Sequence, residues 1–296
     1  VKAELTGYMN DYARLLWPRL QKAIGEDVPN LKERLATINN IELKDIREHY
    51  RRTHTAKNMR LIIAGQIKHR KKDILRNLED WDLKEGKRFE IPKDKLHSSP
   101  AILVKRKDAS NITFGFSMVT PRRLSSQETQ AMGALNHILN GTMSSRIFGQ
   151  ARKRGLVYGM GSGINSSKHY SSWDFDGEVN LETADELFSL IQIEMVKALN
   201  GEISDEEIEA VKTYAQGRYQ MGAQTVSQIS DYYTDDYFMT EKFELYDDFP
   251  QIIKEINKPS IVELAREFAG SGIHAFVTVG SVEKSVINQL AESLNF

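Results

Sequence analysis

The sequence contains no cysteine, which excludes disulfide bonds, zinc sites built from thiolates and catalysis by a thiol nucleophile. It also lacks a run of about 18 consecutive apolar residues, and we therefore expect no membrane-spanning helix. Neither sign of charge predominates, because 40 basic and 41 acidic residues are interspersed and leave a net charge of −1. Without a basic block, nucleic acid and anionic membranes are not expected as the main partners.

The N-terminal sequence lacks both a start methionine and a signal segment. The chain begins with Val1, and no apolar stretch of the signal-peptide type follows it. We expect it to be part of a longer protein that is soluble and cytoplasmic. Its 296 residues exceed the length of one typical domain and predict two domains.

The pattern of apolar residues divides the chain into two structured parts and a linker. Up to residue 84 it predicts helices, the first disturbed at Pro18, and a buried strand at residues 61–64. Residues 85–100 are rich in charge, contain two prolines and lack apolar periodicity, as is typical of a solvated linker. Beyond the linker, helices alternate with predicted strands at residues 101–104, 112–119, 158–167, 172–179 and 275–280.

The two ends of the chain share a pattern of helix, apolar strand, glycine and helix. The glycine is Gly65 in the first copy and Gly280 in the second. Such units are common in α/β proteins, but the echo also predicts duplication of a whole domain. In that case residues 1–84 are the end of a first domain.

Residues 143–158 are the most informative stretch, because a basic helix end is joined there to a strand through one glycine. Positive charge near a helix C-terminus complements the helix dipole, and Gly155 stands where a left-handed residue ends a helix. More glycines follow within the extended segment rather than before a helix, and they are Gly159, Gly161 and Gly163. This order excludes a dinucleotide-binding loop and indicates flexibility or a close backbone approach to a bound chain. The plain interpretation is a capped helix followed by a strand.

The same stretch resembles the second-domain signature of the M16 zinc metallopeptidases, the insulinase-like and mitochondrial processing peptidase-like family. The shared pattern is a small-small-Arg-apolar-Phe helix, an arginine and then Gly-Leu-x-Tyr; residues 41–65 are similar to another family segment. The resemblance implies an α+β fold, an α/β sandwich of M16 peptidase-like duplicated domains with a mixed, largely antiparallel sheet packed with helices. Residues 1–84 are then the C-terminal part of a first, catalytic domain, 85–100 a charged linker and 101–296 a complete second domain.

In the M16 family, an arginine and the tyrosine of Gly-Leu-x-Tyr bind the substrate near the scissile carbonyl. The resemblance gives these roles to Arg152 and Tyr158, where hydrogen-bond donors would stabilise a developing oxyanion. The family commonly spaces the two residues seven apart, whereas they are six apart here, which keeps Arg154 as an alternative to Arg152. A strand tyrosine whose ring packs against neighbours is the other interpretation of Tyr158.

Zinc is the cofactor that the resemblance implies for the full-length protein. The family binds it through a His-x-x-Glu-His motif and a glutamate farther downstream. This sequence has no such motif, and the spacing of His49 and His54 does not place both on one helical face. Residues 1–5 resemble the setting of the downstream ligand and make Glu4 the candidate metal ligand; an exposed glutamate at a helix start is the alternative. We expect no cofactor in this chain alone.

The leading hypothesis is that the chain is the C-terminal portion of a zinc-dependent M16-like endopeptidase that cleaves extended peptides enclosed between two domains. The chain alone is expected to be inactive. Its expected partners are an extended peptide substrate and either an N-terminal catalytic half or a partner M16 subunit, and a dimer is among the expected assemblies. Two alternatives remain open: a natively non-catalytic M16-like subunit that presents Arg152 and Tyr158 to a catalytic partner, and a plain α/β protein-interaction module.

Overall fold

The computed structural model describes all 296 residues and contains five strands and thirteen α-helices. The strands are β1 (Ile102–Lys105), β2 (Asn111–Thr120), β3 (Val157–Ser166), β4 (Ser171–Asn180) and β5 (His274–Gly280). The helices before the first strand are α1 (Lys2–Gly7), α2 (Tyr12–Ala23), α3 (Leu31–Ile38), α4 (Leu43–Thr53) and α5 (Lys71–Glu79). The remaining helices are α6 (Ser126–Asn140), α7 (Phe148–Lys153), α8 (Ala184–Leu199), α9 (Asp205–Gly222), α10 (Val226–Thr240), α11 (Phe249–Glu255), α12 (Lys258–Gly270) and α13 (Lys284–Glu292).

The five strands form one sheet in the order β1-β5-β2-β4-β3. Only β1 and β5 are parallel, and all other neighbours are antiparallel. The central strand β2 pairs with β4 along its whole length, from Asn111 opposite Asn180 to Thr120 opposite Ser171. The predicted fold class, a mixed and largely antiparallel sheet packed with helices, is confirmed, as are the five strands predicted beyond the linker.

Aromatic side chains build the core between one face of the sheet and two helices. Phe188 of α8 lies edge-on to Phe114 of β2 and Phe276 of β5, with ring centroids 5.1 and 5.4 Å away. Trp173 of β4 is fully buried and meets Phe268 of α12 at 6.3 Å. Burial of each such side chain stabilises the fold by about 1.5–3 kcal/mol, and these contacts fix β4, the strand that carries β3.

Helix α2 covers the opposite face of the sheet. Leu16 and Leu20 are buried there in a cluster with residues of β5, among them Val277. The helix approaches β2 so closely that a side chain at Gly115 would meet Leu16 at 3.0 Å. The predicted disturbance at Pro18 is wrong, because α2 continues through it. The apolar contacts made by the leucines on both sides of the proline offset the lost backbone hydrogen bond.

The chain separates into two compact units. The first, called the sheet unit, comprises residues 1–35, 93–216 and 250–296 and contains all five strands. The second, called the helical unit, comprises residues 36–92 and 217–249. The helical unit contains no buried apolar side chain, and Thr55 is its buried residue. The predicted division into the end of a first domain at residues 1–84, a linker at 85–100 and a second domain at 101–296 stays a prediction.

The strand predicted at residues 61–64 does not form. This segment is irregular, and Leu61 and Ile63 are 53% and 41% exposed. A strand requires a neighbour that accepts and donates its backbone hydrogen bonds, and none of the five strands lies beside this segment. Gly280 ends β5, whereas Gly65 ends no strand, so the predicted duplication rests on the sequence pattern alone. No helix in the chain combines the length and apolar character needed to cross a membrane.

Candidate functional site

The candidate site is built by the connection from α7 to β3. Gly155 ends α7 with φ of +72°, which is the left-handed conformation predicted from the sequence. Its N–H donates to the Arg152 carbonyl at 3.1 Å, and the Leu156 N–H donates to the Ala151 carbonyl at 2.9 Å. These two bonds form a Schellman motif, which satisfies the last carbonyls of the helix and turns the chain into β3.

A half-buried ion pair holds the loop that precedes α7. The Arg146 guanidinium donates to both carboxylate oxygens of Glu207, at 2.7 and 2.5 Å, and lies 3.9 Å from Glu194. Burial opposes the charged form of Glu207, but the hydrogen bonds from Arg146 prevail and lower the pKa of that carboxyl group. Both partners of Arg146 are on helices of this chain, which makes it a structural cation rather than a free substrate-binding group.

The structure brings Arg152 and Tyr158 together. The guanidinium carbon of Arg152 lies 4.6 Å from the centroid of the Tyr158 ring, and its Nη1 donates to the Val157 carbonyl at 3.3 Å. Tyr158 is 86% exposed, and its hydroxyl makes no hydrogen bond within the chain. Arg154 lies elsewhere, because it donates to Gln150 at 2.9 Å and sits 3.6 Å from Glu186. The geometry therefore favours Arg152 over Arg154 as the neighbour of the tyrosine.

Tyr158 stands at the start of β3, which is an edge strand. β3 pairs with β4 alone, and no other backbone segment hydrogen-bonds to it. Natural edge strands are normally protected by charged residues or proline, yet the ten residues of β3 include neither. The register shifts between Val157 and Met160, which is a bulge, and the Arg152 and Asn136 side chains donate to the carbonyls of Val157 and Ser162. A long, uncharged edge of this kind can accept an extended peptide as an additional strand.

A buried carboxylate lies on β4, behind the edge strand. Asp174 accepts hydrogen bonds from Ser117, from Ser172 at 2.6 Å and from Asn165 at 2.8 Å. Burial raises the pKa of Asp174 above its usual range. Burial and the nearby Asp174 charge also raise the pKa of Asp176, which stands opposite Gly161 of β3. The sequence analysis missed this pair, although polar residues at alternate positions of a buried strand were a usable signal.

Gly161 leaves room for the Asp176 carboxylate beside the edge strand. A side chain at Gly161 would place its first carbon 2.6 Å from Asp176 Oδ1. The absence of a side chain at Gly161 therefore admits a side chain of the neighbouring strand, and the approach of a bound chain stays a prediction.

The residues present do not fit a zinc site. No group of three or more His, Cys, Asp or Glu side chains converges in a way that could hold a metal ion. Glu4 lies exposed on α1 and accepts a hydrogen bond from the Tyr8 hydroxyl. The His54 ring stacks on Tyr50 at 4.0 Å. The role of Glu4 as one zinc ligand of a larger protein stays a prediction.

Comparison with known proteins places residues 40–214 in a family described as Peptidase M16 inactive domain. An uncharacterized zinc protease from Rickettsia bellii is 26% identical over 280 residues, which are 89% of this chain and 64% of that protein. The uncharacterized zinc protease YmxG of Bacillus subtilis is 21% identical over 249 residues, which are 83% and 59% of the two chains. The chain thus spans less than two thirds of the length of these relatives.

Solved structures share the fold. A peptidase M16 inactive domain from Pseudomonas fluorescens superimposes with a TM-score of 0.80 at 15% identity, over 95% of this chain and 70% of that one. A protease from Helicobacter pylori gives a TM-score of 0.69 at 18% identity, over 83% and 60%. A chain of complex III2 from Candida albicans gives a TM-score of 0.78 at 14% identity, over 99% of this chain and 73% of that one. At these identities the likeness concerns the fold alone.

Proposed function

The chain belongs to the M16 peptidase family, and we propose that it forms the substrate-holding, non-catalytic part of a zinc-dependent M16 endopeptidase. One observation carries the proposal: Arg152 lies beside the exposed Tyr158 ring at the start of β3, an edge strand that contains no charged residue and no proline. The residues needed for zinc binding do not converge in this chain. In this proposal the zinc-binding histidines and the general base belong to residues outside the chain, Glu4 supplies one further ligand, and the chain alone does not cleave peptides.

In this proposal the edge of β3 binds the peptide, and the side chains of Arg152 and Tyr158 stabilise the transition state. An extended peptide pairs with the backbone of β3, which binds varied sequences because backbone groups supply the hydrogen bonds. The Tyr158 hydroxyl and the Arg152 guanidinium then donate to the peptide carbonyl at the bond to be cleaved. Donors held in advance around a developing negative charge lower the barrier, because they need no rearrangement during the reaction.

The helical unit supports the proposal that a catalytic half completes the protein. Five large apolar side chains of α4 and residues 61–64 are 41–60% exposed, and they are Leu43, Ile46, Tyr50, Leu61 and Ile63. An uncovered apolar surface of this kind marks an interface. The two zinc protease relatives extend well beyond the part that this chain matches. We infer that this surface, here called the apolar helical surface, packs against an N-terminal catalytic half.

Reconstitution tests the proposal directly. The 296-residue chain is assayed on a quenched fluorescent peptide alone, joined to the segment that precedes it, and mixed with a separate M16 subunit from the same organism. We expect turnover and bound zinc, measured by elemental analysis, only in the joined protein. Turnover only with the separate subunit would instead favour the non-catalytic subunit. Stoichiometric zinc or peptide cleavage by the chain alone would refute the proposal.

A pair of matched variants tests the apolar helical surface. Ile63→Ala removes an exposed apolar group from this surface, and Leu181→Ala, 45% exposed in the sheet unit, is the control. Each should change the free energy of unfolding of the isolated chain by less than about 0.5 kcal/mol, as is usual for surface positions. Only Ile63→Ala should weaken association with the catalytic half, measured by calorimetry. Equal effects of both variants on association would contradict the assignment of this surface.

A further inference from the structure

A small cavity of ≈ 150 Å³ lies in the sheet unit, away from β3. It is lined by α2, by the first residues of α3 and by the end of β1. Five of its lining side chains are basic, and none is acidic; the five are Arg14, Arg19, Lys32, Lys105 and Arg106. The cavity is therefore a concentration of positive charge in a chain whose overall charge is −1.

Apart from Asn30, the rest of the lining is apolar. Leu15 and Pro18 come from α2, Leu31 from α3 and Val104 from β1. A cavity of about 150 Å³ with apolar walls is known to hold a molecule as large as benzene. The space thus suits one aromatic-sized apolar group, with basic side chains around it.

None of the contacts made by Arg14, Lys105 and Arg106 joins them to an acid within the lining. Arg14 pairs with Asp11 at 3.1 Å, and Lys105 pairs with Glu283 at 2.8 Å, but both acids lie outside the lining and the pairs are largely exposed. Exposed ion pairs of this kind contribute little stability and exchange readily for another anion. The Arg106 guanidinium donates to the Met9 carbonyl, which fixes it beside the cavity without neutralising its charge.

We propose that this cavity binds a small organic anion, with a phosphate or carboxylate head and one apolar group of about the size of an aromatic ring. The head lies among the long basic side chains, where guanidinium groups form paired, charge-assisted hydrogen bonds with phosphate and carboxylate oxygens. The apolar group enters the cavity and contacts Leu15, Leu31 and Val104. The inference is independent of the peptidase proposal, because it uses neither β3 nor the Arg152–Tyr158 pair.

Calorimetric titration of the 296-residue chain tests the site with four probes. Phenyl phosphate and benzoate carry the two candidate heads, inorganic phosphate lacks the apolar group, and benzyl alcohol lacks the charge. We expect saturable one-to-one binding of phenyl phosphate, benzoate or both, at least about tenfold tighter than that of inorganic phosphate. Benzyl alcohol should not bind. Failure of both organic anions, or equal binding of inorganic phosphate, would overturn the proposal.

Matched variants locate the binding. Lys32→Gln and Arg19→Gln each remove one positive charge from the lining and should weaken binding by about tenfold, the usual effect of losing one charge-assisted hydrogen bond. Lys107→Gln removes an exposed charge next to Arg106 but outside the lining, and should leave binding unchanged. Lys32 is exposed, so its replacement should preserve the fold even if replacement of the half-buried Arg19 does not. Equal losses in all three variants would indicate general charge attraction and refute a defined site.

Discussion

Tyr158→Phe is the sharpest perturbation of the proposed substrate-binding pair. It removes one hydroxyl and leaves the ring over which the Arg152 guanidinium lies. The side chain is 86% exposed and the hydroxyl has no partner within the chain. Its removal therefore breaks no intramolecular hydrogen bond and opens no cavity. The free energy of unfolding should change by less than about 0.5 kcal/mol, as for other surface positions.

The effect on catalysis should be far larger. A donor to a developing oxyanion typically contributes a factor on the order of 10² to 10³ in kcat, or about 2.7–4 kcal/mol. Because the hydroxyl has no role in the fold, the whole of that loss would report on the transition state. We expect kcat and kcat/KM to fall together, which is the signature of a contact made only in the transition state.

The assay is steady-state cleavage of a quenched fluorescent peptide by the reconstituted peptidase, with thermal unfolding measured in parallel. Tyr214→Phe is the matched control, because this tyrosine is 47% exposed and its ring also stacks on a neighbour, His137, at 4.0 Å. The control should retain wild-type kinetics. A Tyr158→Phe enzyme with wild-type kcat would refute the donor role and leave the α7–β3 connection as a capped helix and a strand.

Three further outcomes follow from the fold. Gly155→Ala should cost about 1–2 kcal/mol in urea unfolding, because a side chain is strained at its φ of +72° although the surrounding space is open. Trp173→Ala should cost about 3–5 kcal/mol in the same assay, since it empties a fully buried site. Burial raises the pKa of Asp174, so the folded state retains that proton to higher pH than the unfolded chain does. The resulting stabilisation is complete below the unfolded pKa and is lost as pH rises through the folded pKa. The unfolding free energy of Asp174→Asn should therefore rise relative to that of the wild type as pH rises from about 4 to 7. If the difference between the two unfolding free energies does not change with pH, the raised pKa of Asp174 is contradicted.

The sequence was sufficient where a local pattern determines the local structure. Gly155 was predicted to end a helix because few other residues adopt its conformation, and this conformation is observed. The alternation of apolar and polar residues predicted the five strands of the sheet, because successive side chains of a strand point to opposite faces.

Prediction failed where the outcome depends on a distant partner. Residues 61–64 have the composition of a buried strand, but composition cannot supply the neighbour that a strand needs. Pro18 indicated a helix break, whereas the face that buries Leu16 and Leu20 against the sheet overrides it. The Asp174 cluster was missed for a related reason: two of its three hydrogen-bond donors, Ser117 and Asn165, are on other strands, and only the pairing of the sheet brings them to Asp174.

The candidate site lies between these two cases. The spacing along the sequence did not decide whether Arg152 or Arg154 lies beside Tyr158. The number of residues between two positions does not describe how the chain turns at Gly155. The Schellman turn reverses the chain, and Arg152 in the last turn of α7 therefore donates a hydrogen bond to the carbonyl of Val157, the first residue of β3. The residue just before the glycine instead points toward Glu186 on α8. The neighbour of Tyr158 is thus selected by the left-handed conformation of one glycine, and a family spacing of seven or six residues cannot by itself assign the arginine.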